Sequence, residues 1–220
     1  MTVERSTIGP VRLAWTDVAT RSGEAVAQFG ESQQRRHKAM DPVRATRFAT
    51  GRALLADVLS ALTPLDGIRI SSVCERCGGD HGRPRVLGDR FGVSVSYAGD
   101  MVVAAAARLD GISAIGVDIE RVTSSEHTAL ADLTPLFAPH PPPTLRGWTL
   151  IEAALKADGR GLQVPPSDVR FEDVVPKVLP GGLAVRMPGR DAPVEVAPAP
   201  GPAGFVVSVA VMSAAAAPSP

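Results

Sequence analysis

Residues 116–120 read Gly116-Val117-Asp118-Ile119-Glu120. The run is apolar at one parity and acidic at the other. Side chains of a strand alternate between its faces, so Val117 and Ile119 point one way, Asp118 and Glu120 the other. The two acids then stand about 6.5–7 Å apart along the strand. Two carboxylates on one face repel each other unless a cation or a basic partner sits between them. A hard divalent ion such as Mg2+ suits the pair, because it takes oxygen ligands and is usually held by one or two carboxylates plus substrate phosphates. The plainer alternative is a strand edge with its acids in water.

Two strands lead into this one. Residues 91–97 alternate like a strand, 98–100 form a turn, and 101–107 are an unbroken apolar run that reads as a buried strand. Gly111 turns the chain into the strand 112–120. A polar stretch follows, with a short helical segment over 128–137, and then the proline-rich linker 139–143. Thr144 is placed to cap a helix. On that helix Trp148, Glu152 and Lys156 recur every fourth residue and form one stripe, while Ile151 and Leu155 form the neighbouring, core-facing stripe. Glu152 and Lys156 in that order also suit an ordinary helical ion pair. Gly159-Arg160-Gly161-Leu162 ends the helix. Short strands are expected at 169–174, 183–187, 194–196 and 205–211, and 213–220 reads as a disordered tail.

The N-terminal half opens with a strand at 11–15. Between Ser32 and Ala53 lie Arg35, Arg36, His37, Lys38, Arg44, Arg47 and Arg52, against Asp41 alone. A helix is expected over 43–62, with apolar residues at helical spacing. Arg35 and Lys38, three apart, share a helical face. Such a cluster can hold a phosphorylated ligand through charge-assisted hydrogen bonds, or can be a solvated basic face. A strand at 68–73 runs into Cys74-Glu75-Arg76-Cys77, with His81 close behind. That spacing suits half of a zinc site, whose remaining ligand must come from elsewhere, or a thiol pair in a turn without metal. Gly82-Arg83-Pro84 makes a stiff turn with a charge at its centre.

The 220 residues carry 23 basic and 23 acidic side chains. Zero net charge gives no case for a nucleic-acid or membrane partner. No apolar run reaches a membrane span, the N-terminus lacks the apolar core of a signal peptide, and two closely spaced cysteines fit a cytoplasmic protein. Each half has a long helix and several strands ending in an apolar strand. The expected architecture is α+β in two lobes, an N-terminal lobe over 1–111 and a C-terminal lobe over 112–212, with the ligand site in the cleft between them.

Gly-x-Asp-x-Glu, Trp-x-x-x-Glu-x-x-x-Lys and the Gly-Arg-Gly-Leu after it resemble, in combination, the Sfp-type 4′-phosphopantetheinyl transferases. The resemblance runs from about Arg35 to Leu162. Arg52-Ala53-Leu54-Leu55, Gly82-Arg83-Pro84, and Ser94-Val95-Ser96 followed by Gly99 match further family signatures in order. The Cys-x-x-Cys-Gly before His81-Gly82 is also seen in actinobacterial members, which argues against a zinc site.

The resemblance implies a monomeric, pseudo-twofold α+β fold with the active site between lobes. It implies Mg2+-dependent transfer of phosphopantetheine from coenzyme A to a serine of an acyl or peptidyl carrier protein, releasing adenosine 3′,5′-bisphosphate, as in polyketide and nonribosomal peptide biosynthesis. Asp118, Glu120 and Glu152 are then the metal ligands, and Glu152 and Lys156 the catalytic pair. Arg35, Lys38, Arg52, Gly82, Arg83, Pro84, Ser96 and Tyr97 surround coenzyme A. The chain departs from the pattern at Tyr97, where the family has His, and at Ile151, where it has Lys; both changes are expected to remove positive charge near the phosphates. The alternative reading is a paralogue that binds coenzyme A or a carrier protein with little or no transfer.

Overall fold

A computed structural model describes residues 2–18, 24–123 and 132–214. The chain is a mixed α and β protein whose sheets are antiparallel. In chain order its main elements are β1 (Glu4–Ile8), β2 (Val11–Asp17), α1 (Glu24–Ala27), α2 (Glu31–Lys38), α3 (Pro42–Ser60), β3 (Ile70–Ser71), β4 (Arg85–Val86), β5 (Phe91–Ala98), β6 (Met101–Arg108) and β7 (Ile112–Arg121). Then follow α4 (Thr134–Phe137), α5 (Leu145–Asp158), β8 (Arg170–Glu172), β9 (Leu183–Arg186), β10 (Val194–Ala199) and β11 (Phe205–Ser213).

Four strands form one sheet in the order β1-β2-β6-β5, and five form another in the order β7-β11-β10-β9-β8. Although β7 follows β6 after a short turn, it leaves the first sheet and pairs with the last strand, Val117 opposite Val209 and Asp118 opposite Ser208. One face of each sheet packs on the other. Leu13, Val103 and Ala105 meet Val117, Ile119, Val207 and Val209 in a common core. The opposite parity of β6, Val102, Ala104 and Ala106, packs under Leu54, Leu55 and Val58 of α3. On the far side of the second sheet, Leu150, Ala154 and Leu155 of α5 cover Val194, Val196 and Ala210. Both faces of both sheets are therefore covered, which is why β6 reads as a continuous apolar run.

Local chemistry sets the ends of the two long helices. Asp41 caps α3 by accepting from the Arg44 N–H at 3.0 Å, with Pro42 in the first turn. Thr144 caps α5 by accepting from the Gly147 N–H at 3.1 Å. Gly159 ends α5 at φ 85°, a left-handed turn that glycine takes without steric cost.

Several elements differ from the sequence expectation. The strand expected at 68–73 is only Ile70–Ser71; before it the Ile68 N–H turns back to the Leu65 carbonyl at 3.0 Å, and after it the Ser72 carbonyl accepts from the Gly82 N–H at 2.7 Å. A first strand, Glu4–Ile8, pairs with β2 although its side chains are mostly exposed and its pattern weak. Ser213 belongs to β11 and not to a tail. Residues 215–220 of the expected tail, and 128–131 of the expected helical segment, lie outside the described residues; the helix there is Thr134–Phe137. No helix among the described residues is long and apolar enough to cross a membrane.

Candidate active site

The edge strand of each sheet meets the other at β5 and β7. Ser94 Oγ accepts a hydrogen bond from the Val117 N–H at 3.1 Å, and Ser96 Oγ donates to Asp118 Oδ1 at 2.8 Å. Helix α5 lies over the same face of β7. Lys156 Nζ sits 2.7 Å from Asp118 Oδ1, 2.7 Å from Ser96 Oγ and 3.6 Å from Glu152 Oε1. Trp148 Nε1 donates to Glu120 Oε1 at 3.2 Å. The acidic parity of 116–120 and the Trp148-Glu152-Lys156 stripe thus face each other. Asp118 is 2% exposed, so this is no strand edge with its acids in water.

Gly116 makes the close approach possible. A Cβ at this position would lie 2.0 Å from the Ala153 carbonyl oxygen and 2.7 Å from the Ala157 nitrogen. Only glycine lets α5 settle this deep, and that depth brings Lys156 onto Asp118.

Burial raises the pKa of Glu120, and the charge of Asp118 raises it further, against the Trp148 hydrogen bond. Burial likewise raises that of Glu152, helped by Asp118 and Glu120 and opposed by Lys156. Asp118 Oδ2 is buried and has no hydrogen-bond partner. Three crowded carboxylates, one with an unsatisfied oxygen, form a donor set that fits a hard divalent cation. Their oxygens do not all lie within 4.8 Å of one another; Cys74, Cys77 and His81 are the described group that does. Lys156 stands among the three acids, so gathering them on one ion requires side-chain turns and a shift of that ammonium.

A basic cavity of about 360 Å³ opens on the other face of β5. Arg36, Arg44, Arg47 and Arg52 line it, with Phe48, Tyr97, Gly82 and Pro84, and no acidic residue does. Arg52 is 3% exposed, and burial lowers its pKa to about 10. Its guanidinium lies 4.1 Å from the Phe48 ring centre and donates to Gln33 Oε1 at 2.8 Å. Gln33 is held in turn by the Ile70 carbonyl at 3.0 Å. The Tyr97 ring lies under Arg47 at 5.3 Å and fits only because residue 51 is glycine; a Cβ there would come 2.2 Å from the Tyr97 hydroxyl. Burial raises the pKa of the Tyr97 hydroxyl, against the pull of Arg52, Arg36, Arg47 and Lys156.

The expected residues divide accordingly. Asp118, Glu120, Glu152, Lys156 and Ser96 come together. Arg52, Gly82, Pro84 and Tyr97 line the cavity. Arg35 does not; it pairs with Glu31 at 3.7 Å on the solvent side of α2. Lys38 is not in the lining either, and Arg36 is the residue of α2 that is. Arg83 turns to α5, donating to the Ala157 carbonyl at 2.9 Å. Ile151 is 3% exposed within the core beneath α5, so this position does not face the acids or the cavity. Arg44, Arg47, Phe48 and Arg52 share one helical face by spacing, a signal open to sequence reading. The buried Gln33–Arg52 bond leaves no such trace.

The chain matches no protein-family model, and no curated protein matches it significantly.

Proposed function

We propose that the chain is an Sfp-type 4′-phosphopantetheinyl transferase with a pseudo-twofold, two-lobed fold and its active site at the β5–β7 seam. The observation that carries this reading is the meeting of Asp118, Glu120, Glu152 and Lys156 beside an arginine-lined cavity. A carboxylate cluster next to four guanidiniums is a setting for a metal-assisted reaction on a polyphosphate. Coenzyme A has the matching form, a pyrophosphate joined to a separately phosphorylated adenosine.

In this reading Arg36, Arg44, Arg47 and Arg52 hold the adenosine end, its 3′-phosphate included, and Gly82 and Pro84 shape the wall against the adenine. Asp118, Glu120 and Glu152 would hold Mg2+, whose charge, when bound, would polarise the phosphoryl group and offset charge on the leaving oxygens. The carrier serine hydroxyl attacks the phosphorus bearing the pantetheine, and its proton goes to Glu152. A new phosphodiester forms to serine as the bond to the bridging oxygen breaks. Lys156 balances the charge on adenosine 3′,5′-bisphosphate as it departs.

The test is incubation of the protein with coenzyme A, Mg2+ and a panel of purified apo carrier proteins, read by intact mass. A gain of one phosphopantetheine on the carrier serine is expected. Binding of coenzyme A without any mass gain across the panel would sink the transferase reading and leave a binding paralogue.

A further inference from the structure

The loop between β3 and β4 carries Cys74, Cys77 and His81, one sulfur or nitrogen atom of each lying within 4.8 Å of the others. Cys77 Sγ and His81 Nε2 are 2.8 Å apart. The backbone is wound around this point. The Gly78 N–H donates to the Cys74 carbonyl at 2.8 Å, the Cys74 N–H to the Gly79 carbonyl at 2.8 Å, and the His81 N–H to the Gly79 carbonyl at 2.9 Å. Gly78 takes φ 73°, the left-handed conformation this tight return needs. The loop's own glutamate, Glu75, is paired with Arg85.

We propose that Cys74, Cys77 and His81 bind one Zn2+, with the fourth position left to solvent or an outside donor. Two thiolates and an imidazole are a soft to borderline donor set that suits zinc better than a hard ion. Zinc bonds of ~2.3 Å to sulfur and ~2.0 Å to nitrogen, at tetrahedral angles, separate such ligands by about 3.6 Å. The three ligand atoms lie within 4.8 Å of one another, which brackets that size, and Cys77 and His81 are exposed while Cys74 is half-buried. The third ligand would be His81, four residues beyond Cys77.

The ion has a structural task there. The loop closes where the Gly82 N–H donates to the Ser72 carbonyl at 2.7 Å, and a Cβ on Gly82 would lie 2.6 Å from the Val73 carbonyl oxygen. The Gly82 carbonyl then accepts from Arg36 at 3.3 Å, at the wall of the basic cavity. Zinc fixes the loop that sets Gly82 in that wall. The inference does not depend on the transferase reading, since it concerns metal bound to the protein alone.

Two measurements on the full chain test it. The first is metal content of protein purified under reducing conditions, expected near one zinc per chain. The second is titration of stripped, reduced protein with Co2+, expected to give thiolate-to-cobalt charge-transfer bands saturating at one equivalent and bleached by zinc. Cys77→Ser and His81→Ala should each weaken cobalt binding by at least about 100-fold, since losing even an outer-shell partner costs roughly 10–100-fold. Far-UV circular dichroism checks that each variant is folded. Reduced, folded protein that gives no thiolate–cobalt bands would overturn the site. So would His81→Ala binding cobalt as tightly as wild type, or a Cys74–Cys77 disulfide as the sole chemistry of the purified protein.

Discussion

Gly116 and Ala153 are in such close contact that the α-carbon of one faces the carbonyl oxygen of the other, with no room for a methyl group between them. Gly116→Ala must push α5 off β7, because the obstructing atoms are backbone and cannot rotate away. Overpacking of this kind costs about 1–3 kcal/mol or more. Urea unfolding should show that loss, and transfer activity should fall further than stability does, since Lys156 and Glu152 move with the helix. A variant with wild-type stability and activity would show that α5 does not sit where described.

Glu152→Gln should separate stability from activity. The folded state holds protons on Glu120 and Glu152 more tightly than the unfolded state, because burial raises both pKa values. Above the ordinary glutamate range the unfolded chain therefore binds fewer protons, and stability falls as pH rises from there through the raised values. Glu152→Gln removes one of these buried charges. The apo protein should melt higher near neutral pH, with a shallower pH dependence above pH 4.5. Transfer should drop by roughly 10²–10⁴-fold, as for loss of a general base. A lower melting temperature with retained turnover would remove Glu152 from the chemistry.

Lys156→Met should shift Glu152 in a known direction. The ammonium lowers the Glu152 pKa, so its removal should raise that pKa further. Carboxyl-resolved NMR titration of the apo protein should show the Glu152 resonance moving at higher pH in the variant. A downward shift would mean that the Lys156–Glu152 contact is not formed in solution.

Gly51→Ala should strike Tyr97. The alanine favours the helix by ~1 kcal/mol in propensity, but its methyl collides with the tyrosine hydroxyl. Coenzyme A affinity should weaken about tenfold or more, with kcat little changed, as a displaced cavity wall costs binding at one good hydrogen bond's worth or more. Tyr97→Phe in the same chain should restore part of the loss. Full additivity of the two substitutions would show that they do not touch.

Glu195 provides a control far from the site. It is 7% exposed, and its carboxylate accepts from three successive backbone N–H groups, those of Lys177, Val178 and Leu179, at 2.8–2.9 Å. Glu195→Gln leaves part of that set unsatisfied and puts an amide donor against donors. A loss of roughly 2–4 kcal/mol is expected from hydrogen bonds to a charged group, with activity below the melting range unaffected. A neutral effect in urea would mean that the loop 177–179 is held by other contacts.

The acid pair and the α5 stripe could be read in advance because strand and helix periods are local properties: one residue's spacing dictates the face of the next. The helix at Pro42–Ser60 and the cap at Thr144 were legible for the same reason. What the sequence did not carry was pairing. Nothing in residues 112–120 tells β7 to join β11 at the far end of the chain instead of β6 beside it. Nor does spacing show that Arg35 faces water and Arg36 the cavity, since adjacent residues of a helix differ by about 100° and the orientation of α2 is set by its tertiary contacts. The nearness of His81 to Cys74 and Cys77 was legible in the spacing, but the 2.8 Å approach of its ring to Cys77 depends on the local turn around Gly78. Ile151 and Leu155 lie in the core, as the helical spacing of their stripe implies.

The meeting of β5 with β7 also bears on solubility. A strand at the margin of a sheet offers unpaired amides to any passing chain, and a run as rich in valine and isoleucine as β7 is an inviting template. Here the two margins shield each other through serine side chains and not through a backbone ladder, with Ser94 occupying the Val117 amide. Replacing Ser94 and Ser96 with alanine therefore does more than remove two hydroxyls. It uncovers a sticky margin in each molecule, and the first sign in the laboratory should be precipitation at concentrations the wild-type chain tolerates.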